Sequence, residues 1–167
     1  ELSLHYQPQV EPRSGRVEAV EALVRWNHPD RGLIGPNEFV PLAERTGLIR
    51  PLTLWVLEAA IRECAAWRRA GVDLHVAVNL STANLVDTDL PNTIERLLRE
   101  SAVPPEYLRL EITESTAMAD PVRTRAVLAR LDALGTQLAI DDFGTGYSSM
   151  AYLRSLPVRE LKIDRSF

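Results

Sequence analysis

The sequence of 167 residues contains 46% hydrophobic and 25% charged residues, a balance that is typical of a globular domain and excludes a disordered chain. Its formal net charge of −4, without any block of Lys and Arg, argues against nonspecific binding to a nucleic-acid polymer or an anionic membrane, although local charges could still bind a small anion. Cys64 is the one cysteine, so the chain can form no internal disulfide, which fits a reducing compartment, and we expect this residue in the core.

The first predicted elements form an antiparallel hairpin. Strands are predicted at residues 2–10 and 17–26, and the Pro, Ser and Gly content of residues 11–16 indicates a turn between them. Residues 27–36 are rich in Pro and Gly and are predicted to form a loop. A short helix is predicted next, at residues 37–45.

Helices and strands alternate through the rest of the chain. The longest predicted helix, at residues 51–70, carries too many Glu and Arg residues to span a membrane. The remaining predicted elements are a strand at 74–80, a helix at 93–100, a strand at 108–113, a helix at 121–134, a strand at 138–142, a helix at 148–154 and a strand at 160–163. This order predicts one α/β domain with a parallel sheet and crossover helices.

The number of predicted strands, six, is too small for the eight-stranded barrel of about 250 residues that such a pattern commonly builds. Either the sheet is open, or two further strand units lie beyond Phe167. Because the chain begins at Glu1 and ends directly after a strand-like run, we expect a domain cut from a larger polypeptide. No stretch resembles a signal peptide, and we expect a cytoplasmic domain, whether or not its parent protein is tethered to a membrane.

Polar residues recur at the carboxyl ends of the predicted strands. Asp141 and Asp142 end an apolar strand, and two like charges so close together require a compensating cation. Glu21 lies within the second strand, where two-residue alternation points it inward. The other residues at such strand ends are Asn79, Glu111, Lys162 and Asp164. Because ligands gather at the carboxyl ends of parallel strands, we expect these side chains to form one site.

The candidate ligands are carboxylates and one amide, so they offer oxygen atoms. Such a set favours Mg²⁺, Mn²⁺ or Ca²⁺ over zinc, and two adjacent aspartates can bridge two ions. Two ions a few ångströms apart suit the hydrolysis of a phosphoester. Lys162 could hold the attacking water or the phosphate, and Arg25 could form a fork to a phosphate.

Each of these residues alone also has an ordinary interpretation. Glu111 could be solvated or salt-bridged, Asn79 could form a turn, Lys162 could lie on the surface, and the aspartate pair could cap a helix. Residues 144–146 lack the spacing of a phosphate-binding loop and are predicted to form a flexible turn. The joint occurrence of the polar residues at equivalent strand ends favours a common site.

These residues lie in motifs through which the chain resembles the EAL family of cyclic di-GMP phosphodiesterases, named after Glu21-Ala22-Leu23. The resemblance covers the whole chain. Its motifs, in order, are Tyr6-Gln7-Pro8, Glu21-Ala22-Leu23-Val24-Arg25-Trp26, Val78-Asn79-Leu80-Ser81, Glu111-Ile112-Thr113-Glu114, Asp141-Asp142-Phe143-Gly144-Thr145-Gly146 and Lys162-Ile163-Asp164.

The resemblance implies a fold, a reaction and a cofactor. The fold is a modified TIM (β/α)8 barrel with an antiparallel first strand, and the reaction is the hydrolysis of cyclic di-GMP to linear pGpG in bacterial second-messenger signalling. The cofactor is Mg²⁺ or Mn²⁺ in a two-metal site, with Ca²⁺ inhibitory. The implied metal ligands are Glu21, Asn79, Glu111, Asp141 and Asp142.

The resemblance also assigns roles to single residues. Among the catalytic residues it counts Glu21, Asp141 and Asp142, with Lys162 positioning the water and Asp164 supporting the site. Gln7 and Arg25 match positions that contact the substrate, and Glu114 matches a glutamate that stabilises the loop after Asp142. The implied partners are cyclic di-GMP, a second copy in a homodimer, and sensor or GGDEF domains in the same polypeptide.

The chain departs from the family pattern after residue 164. The family continues with about two more strand and helix units, a glutamate in an Ala-Glu-Gly-Val-Glu motif and a late glutamine, which these 167 residues lack. We therefore expect weak or no activity from this chain alone, an active parent protein, and an uncovered sheet edge that favours aggregation. The alternatives are a non-catalytic module that binds cyclic di-GMP or a protein partner, and a structural fragment. Retention of Glu21 and the aspartate pair favours the enzyme.

Overall fold

The computed structural model describes residues 1–144, 150–164 and 166 of the chain. The strands are β1 (Leu2–Val10), β2 (Val17–His28), β3 (Gly32–Ile34), β4 (His75–Leu80), β5 (Leu108–Thr113), β6 (Gln137–Phe143) and β7 (Glu160–Ile163). The α-helices are α1 (Pro36–Thr46), α2 (Ile49–Arg69), α3 (Thr82–Leu85), α4 (Leu90–Ser101), α5 (Glu114–Ala119), α6 (Pro121–Leu134) and α7 (Met150–Leu153), and Pro105–Tyr107 forms a 3₁₀ turn.

All of these strands belong to one sheet in the order β1-β2-β4-β5-β6-β7, with β3 beside β2. Strands β1 and β3 run antiparallel to β2, whereas β2, β4, β5, β6 and β7 are mutually parallel. The predicted hairpin and the predicted parallel sheet are therefore both confirmed. Because the parallel strands share a direction, their carboxyl ends lie along one edge of the sheet, hereafter the rim.

The two sides of the sheet differ in chemistry, because successive side chains of a strand point to opposite sides. The side that carries Leu110 and Ile140, hereafter the apolar side, packs against α2, α4 and α6. Among the largest side chains buried there are Leu57, Ile61, Ile94, Leu108, Leu110, Ile112, Leu128, Leu131, Leu138 and Ile140. Complete burial of each contributes about 1.5–3 kcal/mol. Cys64 is also fully buried in this core, as predicted.

Local sequence signals explain where helix α6 begins and ends. Helix α6 begins at Pro121, after an Asp120 side chain that accepts a hydrogen bond from the Arg123 N–H, and it ends at Gly135 with φ of 95°. Its predicted bounds are therefore confirmed.

No helix in the described ranges is both long and apolar enough to cross a membrane.

The prediction of a loop at residues 27–36 is wrong in part. Strand β2 continues to His28, and β3 pairs with it after a turn at residues 29–31. Gly32, the first residue of β3, has a φ of 72°. A strand of three residues is too short for an alternation pattern, yet it buries Ile34 beside Trp26. The short helices α3 and α5 were not predicted for the same reason. The beginning of the predicted helix at 148–154 and most of the predicted turn at 144–146 lie outside the described residues.

Candidate functional site

The side of the sheet opposite the apolar side, hereafter the polar side, collects the predicted site residues near the rim. Glu111 in β5 pairs with Asn79 in β4, and Asp141 lies two residues beyond the β6 partner of Glu111. Lys162 in β7 reaches the same region, because its Nζ contacts Glu111 and Asp141. Glu21 in β2 also lies there, because it contacts the same Nζ. The sheet therefore brings together side chains from five parallel strands.

Three carboxylates surround the ammonium group of Lys162. Its Nζ lies 2.7 Å from Glu111 Oε2, 3.1 Å from Asp141 Oδ2 and 3.4 Å from Glu21 Oε2. Glu111 is fully buried, and the Lys162 side chain is only 23% exposed. The interpretations of Glu111 as a solvated residue and of Lys162 as a surface lysine are therefore wrong.

Burial and charge act against each other in this cluster. Burial raises the pKa of Glu111 above its usual value, and the Lys162 ammonium partly opposes that shift. Burial acts to lower the pKa of Lys162, but the hydrogen bond and charge of Glu111, followed by the charges of Glu21 and Asp141, raise it well above its usual value. Lys162 therefore stays protonated at neutral pH, and the carboxylates around it outnumber its single positive charge.

A β-bulge sets the positions of the two aspartates. The pairing of β6 with β7 shifts between Ile140 and Phe143, so that Asp141 and Asp142 together lie opposite Lys162. Asp142 adopts a left-handed backbone conformation with φ of 52°, which is uncommon for a residue other than Gly. Strict alternation would send Asp142 to the apolar side, but the bulge keeps it near the charged groups of the rim.

The charged groups that act on Asp142 agree with its position near the rim. Burial raises its pKa, and the charges of Asp141 and Asp164 raise it further, whereas Lys162 lowers it. The Asp142 N–H donates to Asp141 Oδ1 at 3.0 Å. The aspartate pair is therefore part of a β-bulge in which the charge of Asp141 raises the pKa of Asp142, and whether the pair also caps a helix lies outside the described residues.

The remaining predicted residues lie around this cluster. Asn79 Nδ2 donates to Glu21 Oε1 at 2.7 Å, which leaves the amide oxygen available for another partner. Gln7 is exposed and pairs with Glu21 along β1. The Arg25 guanidinium donates to the Val24 carbonyl at 2.9 Å. A substrate-contacting role of Gln7 or Arg25 stays a prediction.

Asp164 and Glu114 contact the segments that follow β7 and β6. The Asp164 N–H donates to the Phe143 carbonyl at 3.2 Å, and Asp164 Oδ1 accepts from the Ser166 N–H at 2.9 Å. Glu114 Oε2 accepts from the Gly144 N–H at 2.9 Å. Glu114 thus contacts the beginning of the segment that it is predicted to stabilise, although the stabilising role stays a prediction.

Two residues beside Glu111 were missed in the sequence: Gln9 contacts Glu111 directly, and Arg109 contacts Gln9. Gln9 Nε2 donates to Glu111 Oε1 at 3.1 Å, and Arg109 Nη1 donates to Gln9 Oε1 at 3.0 Å. Alternation along the strands places both on the polar side, because Arg109 lies two residues before Glu111 and Gln9 lies two residues after Gln7, but it does not predict their contacts.

A cavity of about 570 Å³ opens at the rim and is lined in part by Asn79, the hydrogen-bond partner of Glu21. Its lining combines the β2 and β4 carboxyl ends with α1 and α2, and includes Leu23, Val40, Leu52, Asn79 and Ser81. This volume lies in the range of sites for small molecules, about 300–1,000 Å³. The rim therefore offers a charged cluster and an adjoining, partly apolar cavity.

The donor set of the cluster fits a divalent cation. One oxygen from each of Glu21, Glu111 and Asp141 can be chosen so that all three lie within 4.8 Å of one another. Mg²⁺ prefers six oxygen ligands and usually keeps several waters, so these three oxygens could supply part of such a shell. Carboxylate oxygens are the ligands of hard cations, and this acidic group could therefore bind a metal.

Comparison with known proteins shows the family of the chain, and the match extends over its whole length. The sequence model of the EAL domain matches residues 1–167. The chain is 48% identical over 168 residues to the bifunctional diguanylate cyclase/cyclic di-GMP phosphodiesterase MucR of Pseudomonas aeruginosa, covering 100% of the chain and 24% of that protein. It is 43% identical over 164 residues to the cyclic di-GMP phosphodiesterase PA2567 of the same organism, covering 98% of the chain and 28% of that protein.

The fold also matches a solved structure described as the PaMucR phosphodiesterase in a c-di-GMP complex. The TM-score is 0.95 at 48% sequence identity, and the match covers 99% of the chain and 67% of the solved one. The chain thus spans about a quarter of the length of the curated relatives that it matches.

Proposed function

Since the chain belongs to the EAL domain family, we propose that it is a metal-dependent phosphodiesterase domain that hydrolyses cyclic di-GMP to linear pGpG in bacterial second-messenger signalling. The observation that carries this proposal is the cluster of Glu21, Glu111 and Asp141 around Lys162. It offers the oxygen donors of a divalent-cation site at the rim where α/β folds bind their ligands. Relatives named as cyclic di-GMP phosphodiesterases match 98–100% of the chain.

The cations that we propose are Mg²⁺ or Mn²⁺, held by Glu21, Asn79, Glu111, Asp141 and Asp142. When bound, such ions polarise phosphoryl oxygens and make bound water more acidic. Ca²⁺ should occupy the same oxygen ligands but support little hydrolysis, because its larger coordination shell is looser.

The residues of the chain have separate tasks in the proposed reaction. Water is divided between the two products: its oxygen, with one proton, forms a bond to phosphorus, one ester P–O bond breaks, and the second proton ends on the departing ribose oxygen. Lys162 is held by three carboxylates and stays protonated, so it can donate hydrogen bonds to the water or to a phosphoryl oxygen but cannot accept the proton of the water. Asp164 supports this arrangement next to Asp142.

We assign substrate binding to the rim around the cluster. Gln7 lies on β1 opposite Glu21, and Arg25 lies on β2, the strand that carries Glu21. The adjoining cavity beside Leu23 can hold one nucleotide half of cyclic di-GMP. We also propose that the domain acts in the cytoplasm, as a homodimer, within a polypeptide that carries sensor or GGDEF domains. The small share of each curated relative that the chain covers supports a larger polypeptide.

The test is an assay with cyclic di-GMP and either Mg²⁺ or Mn²⁺, performed on the longest natural polypeptide that contains this chain. Linear pGpG, followed by chromatography, is the expected product, and Ca²⁺ should give little of it. Absence of product would contradict the enzyme. Tight binding of cyclic di-GMP without product would instead support the non-catalytic alternative, a module that only binds the dinucleotide.

A further inference from the structure

A second layer of polar side chains lies on the polar side, one step further from the rim than the carboxylate cluster. It comprises Gln9 in β1, Arg109 in β5, Gln137 in β6 and Glu160 in β7. Arg109 contacts the other three: Nη1 lies 3.0 Å from both Gln9 Oε1 and Glu160 Oε2, and Nε and Nη2 donate to Gln137 Oε1 at 3.3 and 3.1 Å. The layer touches the carboxylate cluster through Gln9, which donates to Glu111.

The chemistry of Arg109 fixes which way the Gln9 amide points. A guanidinium has hydrogen-bond donors and no acceptor, so only the carbonyl oxygen of Gln9 can face it. The NH₂ group of Gln9 must then face the other way, toward Glu111 Oε1. A reversed amide would place NH₂ against the guanidinium and an oxygen against the carboxylate, and both contacts would be repulsive.

The position of Arg109 explains how this orientation is maintained. Its side chain is only 16% exposed and bonds to side chains of β1, β6 and β7. Strands β1 and β7 are the two ends of the described sheet order, so the contacts of Arg109 cross the polar side between them. A guanidinium held at several points has little freedom to release Gln9.

The consequence for Glu111 is that its two oxygens have different partners. Oε1 accepts from Gln9, whereas Oε2 faces Lys162 and the other carboxylates. We propose that Gln9 is a positioning residue that presents Glu111 Oε2 to the bound cation, and that Arg109 acts through Gln9. This inference rests on the proposed function, because it assigns Glu111 to a cation site. Residues that orient a metal ligand in this way commonly change metal affinity 10–100-fold when they are replaced.

The first test compares Gln9→Met with Gln137→Met in the longest natural polypeptide that contains this chain. Both replacements remove an acceptor from Arg109, but only Gln9 contacts Glu111. We expect Gln9→Met to weaken Mn²⁺ binding about 10–100-fold, measured by electron paramagnetic resonance of free Mn²⁺, and to lower kcat more than it changes KM. Gln137→Met should change Mn²⁺ affinity less than about threefold. Equal effects of the two variants, or unchanged Mn²⁺ affinity in Gln9→Met, would overturn the role of Gln9.

The second test is a double-mutant cycle for Arg109. Arg109→Met alone should weaken Mn²⁺ binding, but in the Gln9→Met background it should have almost no further effect, because the residue through which it acts is gone. Fully additive effects would overturn the coupling. Should Gln9→Met fail to fold, Gln9→Asn replaces it, since that side chain keeps the amide but is too short to reach both partners. Glu21→Gln defines the background of Mn²⁺ binding elsewhere in the polypeptide.

These outcomes separate this inference from the proposed function. A wild-type protein that binds Mn²⁺ but does not hydrolyse cyclic di-GMP contradicts the proposed function, while the Mn²⁺ measurements still test Gln9. Hydrolysis by the wild type with unchanged Mn²⁺ affinity in Gln9→Met contradicts the inference alone.

Discussion

The same strands build two sides of one sheet that obey different physical rules. On the apolar side, Leu110 and Ile140 are fully buried against helices, and their contribution depends on volume and area rather than on one particular atom. On the polar side, Glu111 is equally buried, but its two oxygens each need a specific partner. Leu110 and Glu111 are neighbours along β5, yet Leu110 contributes to stability and Glu111 to the chemistry of the polar side.

The largest expected effect is the loss of turnover in Asp141→Asn. This change removes one charge from the proposed cation site while it keeps the shape of the side chain, so we expect kcat/KM for cyclic di-GMP to fall at least about 1,000-fold, or about 4 kcal/mol. The free energy of unfolding, measured with urea, should change by less than about 1 kcal/mol. Asp132→Asn, on α6, is the matched control and should keep its activity. Undiminished activity of Asp141→Asn would refute the assigned role.

The counterpart on the apolar side is Leu110→Ala. Because Leu110 is fully buried, the cavity and the lost transfer energy should lower the free energy of unfolding by about 2–5 kcal/mol, whereas the folded fraction should retain its activity. Leu33 is 57% exposed, and Leu33→Ala should stay within about 0.5 kcal/mol of the wild type. A loss of activity in Leu110→Ala without a loss of stability would erase the distinction between the two sides.

Lys162→Met should show that the polar side also contributes to the free energy of unfolding when no metal is bound. The change leaves three carboxylates without their ammonium, so we expect the free energy of unfolding of the metal-free protein to fall by about 2 kcal/mol. Millimolar Mg²⁺ should restore much of this loss, since it binds the folded carboxylates. Arg96→Met removes an exposed pair with Glu100 and should change stability by less than about 0.5 kcal/mol. A loss in Lys162→Met that Mg²⁺ does not reduce would contradict a cation site.

The smallest expected effect concerns pH and the apolar side. Burial raises the pKa of Tyr6 from 10.0 to about 12, and its ring packs edge to face on Trp67 at 5.0 Å. Below about pH 10 the phenol is protonated in both states and stability is unaffected. Above that value the unfolded chain loses this proton first, so the free energy of unfolding should fall as the pH rises toward 12. Urea titrations between about pH 9 and 11.5 should show this slope in the wild type and a smaller one in Tyr6→Phe. Tyr107→Phe is the control, and an unchanged slope in Tyr6→Phe would contradict the assignment.

The sequence predicts those elements that have local start and stop residues, or that are long enough to show a repeating pattern of apolar residues. Helix α6 has a proline at its start and a glycine after its end, and β5 has a run of alternating residues, so both were predicted with their observed bounds. Strand β3 and helix α3 are too short for a period. Pairing with β2 defines β3, and the capping box of Ser81 and Asn84 defines the start of α3. The grouping of Glu21, Glu111, Asp141 and Lys162 followed from parallel strands that end at a common edge.

The rest of the site depends on features that a regular strand does not contain. The bulge at Asp141 and Asp142 breaks the alternation from which side-chain directions are predicted, and only the register of β6 against β7 reveals it. Gln9 and Glu111 are far apart in the sequence and on strands that are not neighbours in the sheet, so no spacing rule links them.

The reversed direction of β1 has a practical consequence for experiments. Because β1 runs opposite to its neighbour, Leu2 pairs with Trp26 near the rim, and the Glu1 carbonyl accepts from the Asn27 N–H at 2.7 Å. Any segment joined ahead of Glu1, whether a natural domain or an affinity tag, therefore enters at the rim, where we propose that the substrate binds. In an all-parallel barrel the same attachment would emerge at the opposite end. Fusions at this terminus can obstruct or report on access to the cavity, so a fluorophore attached there would be a direct sensor of ligand entry.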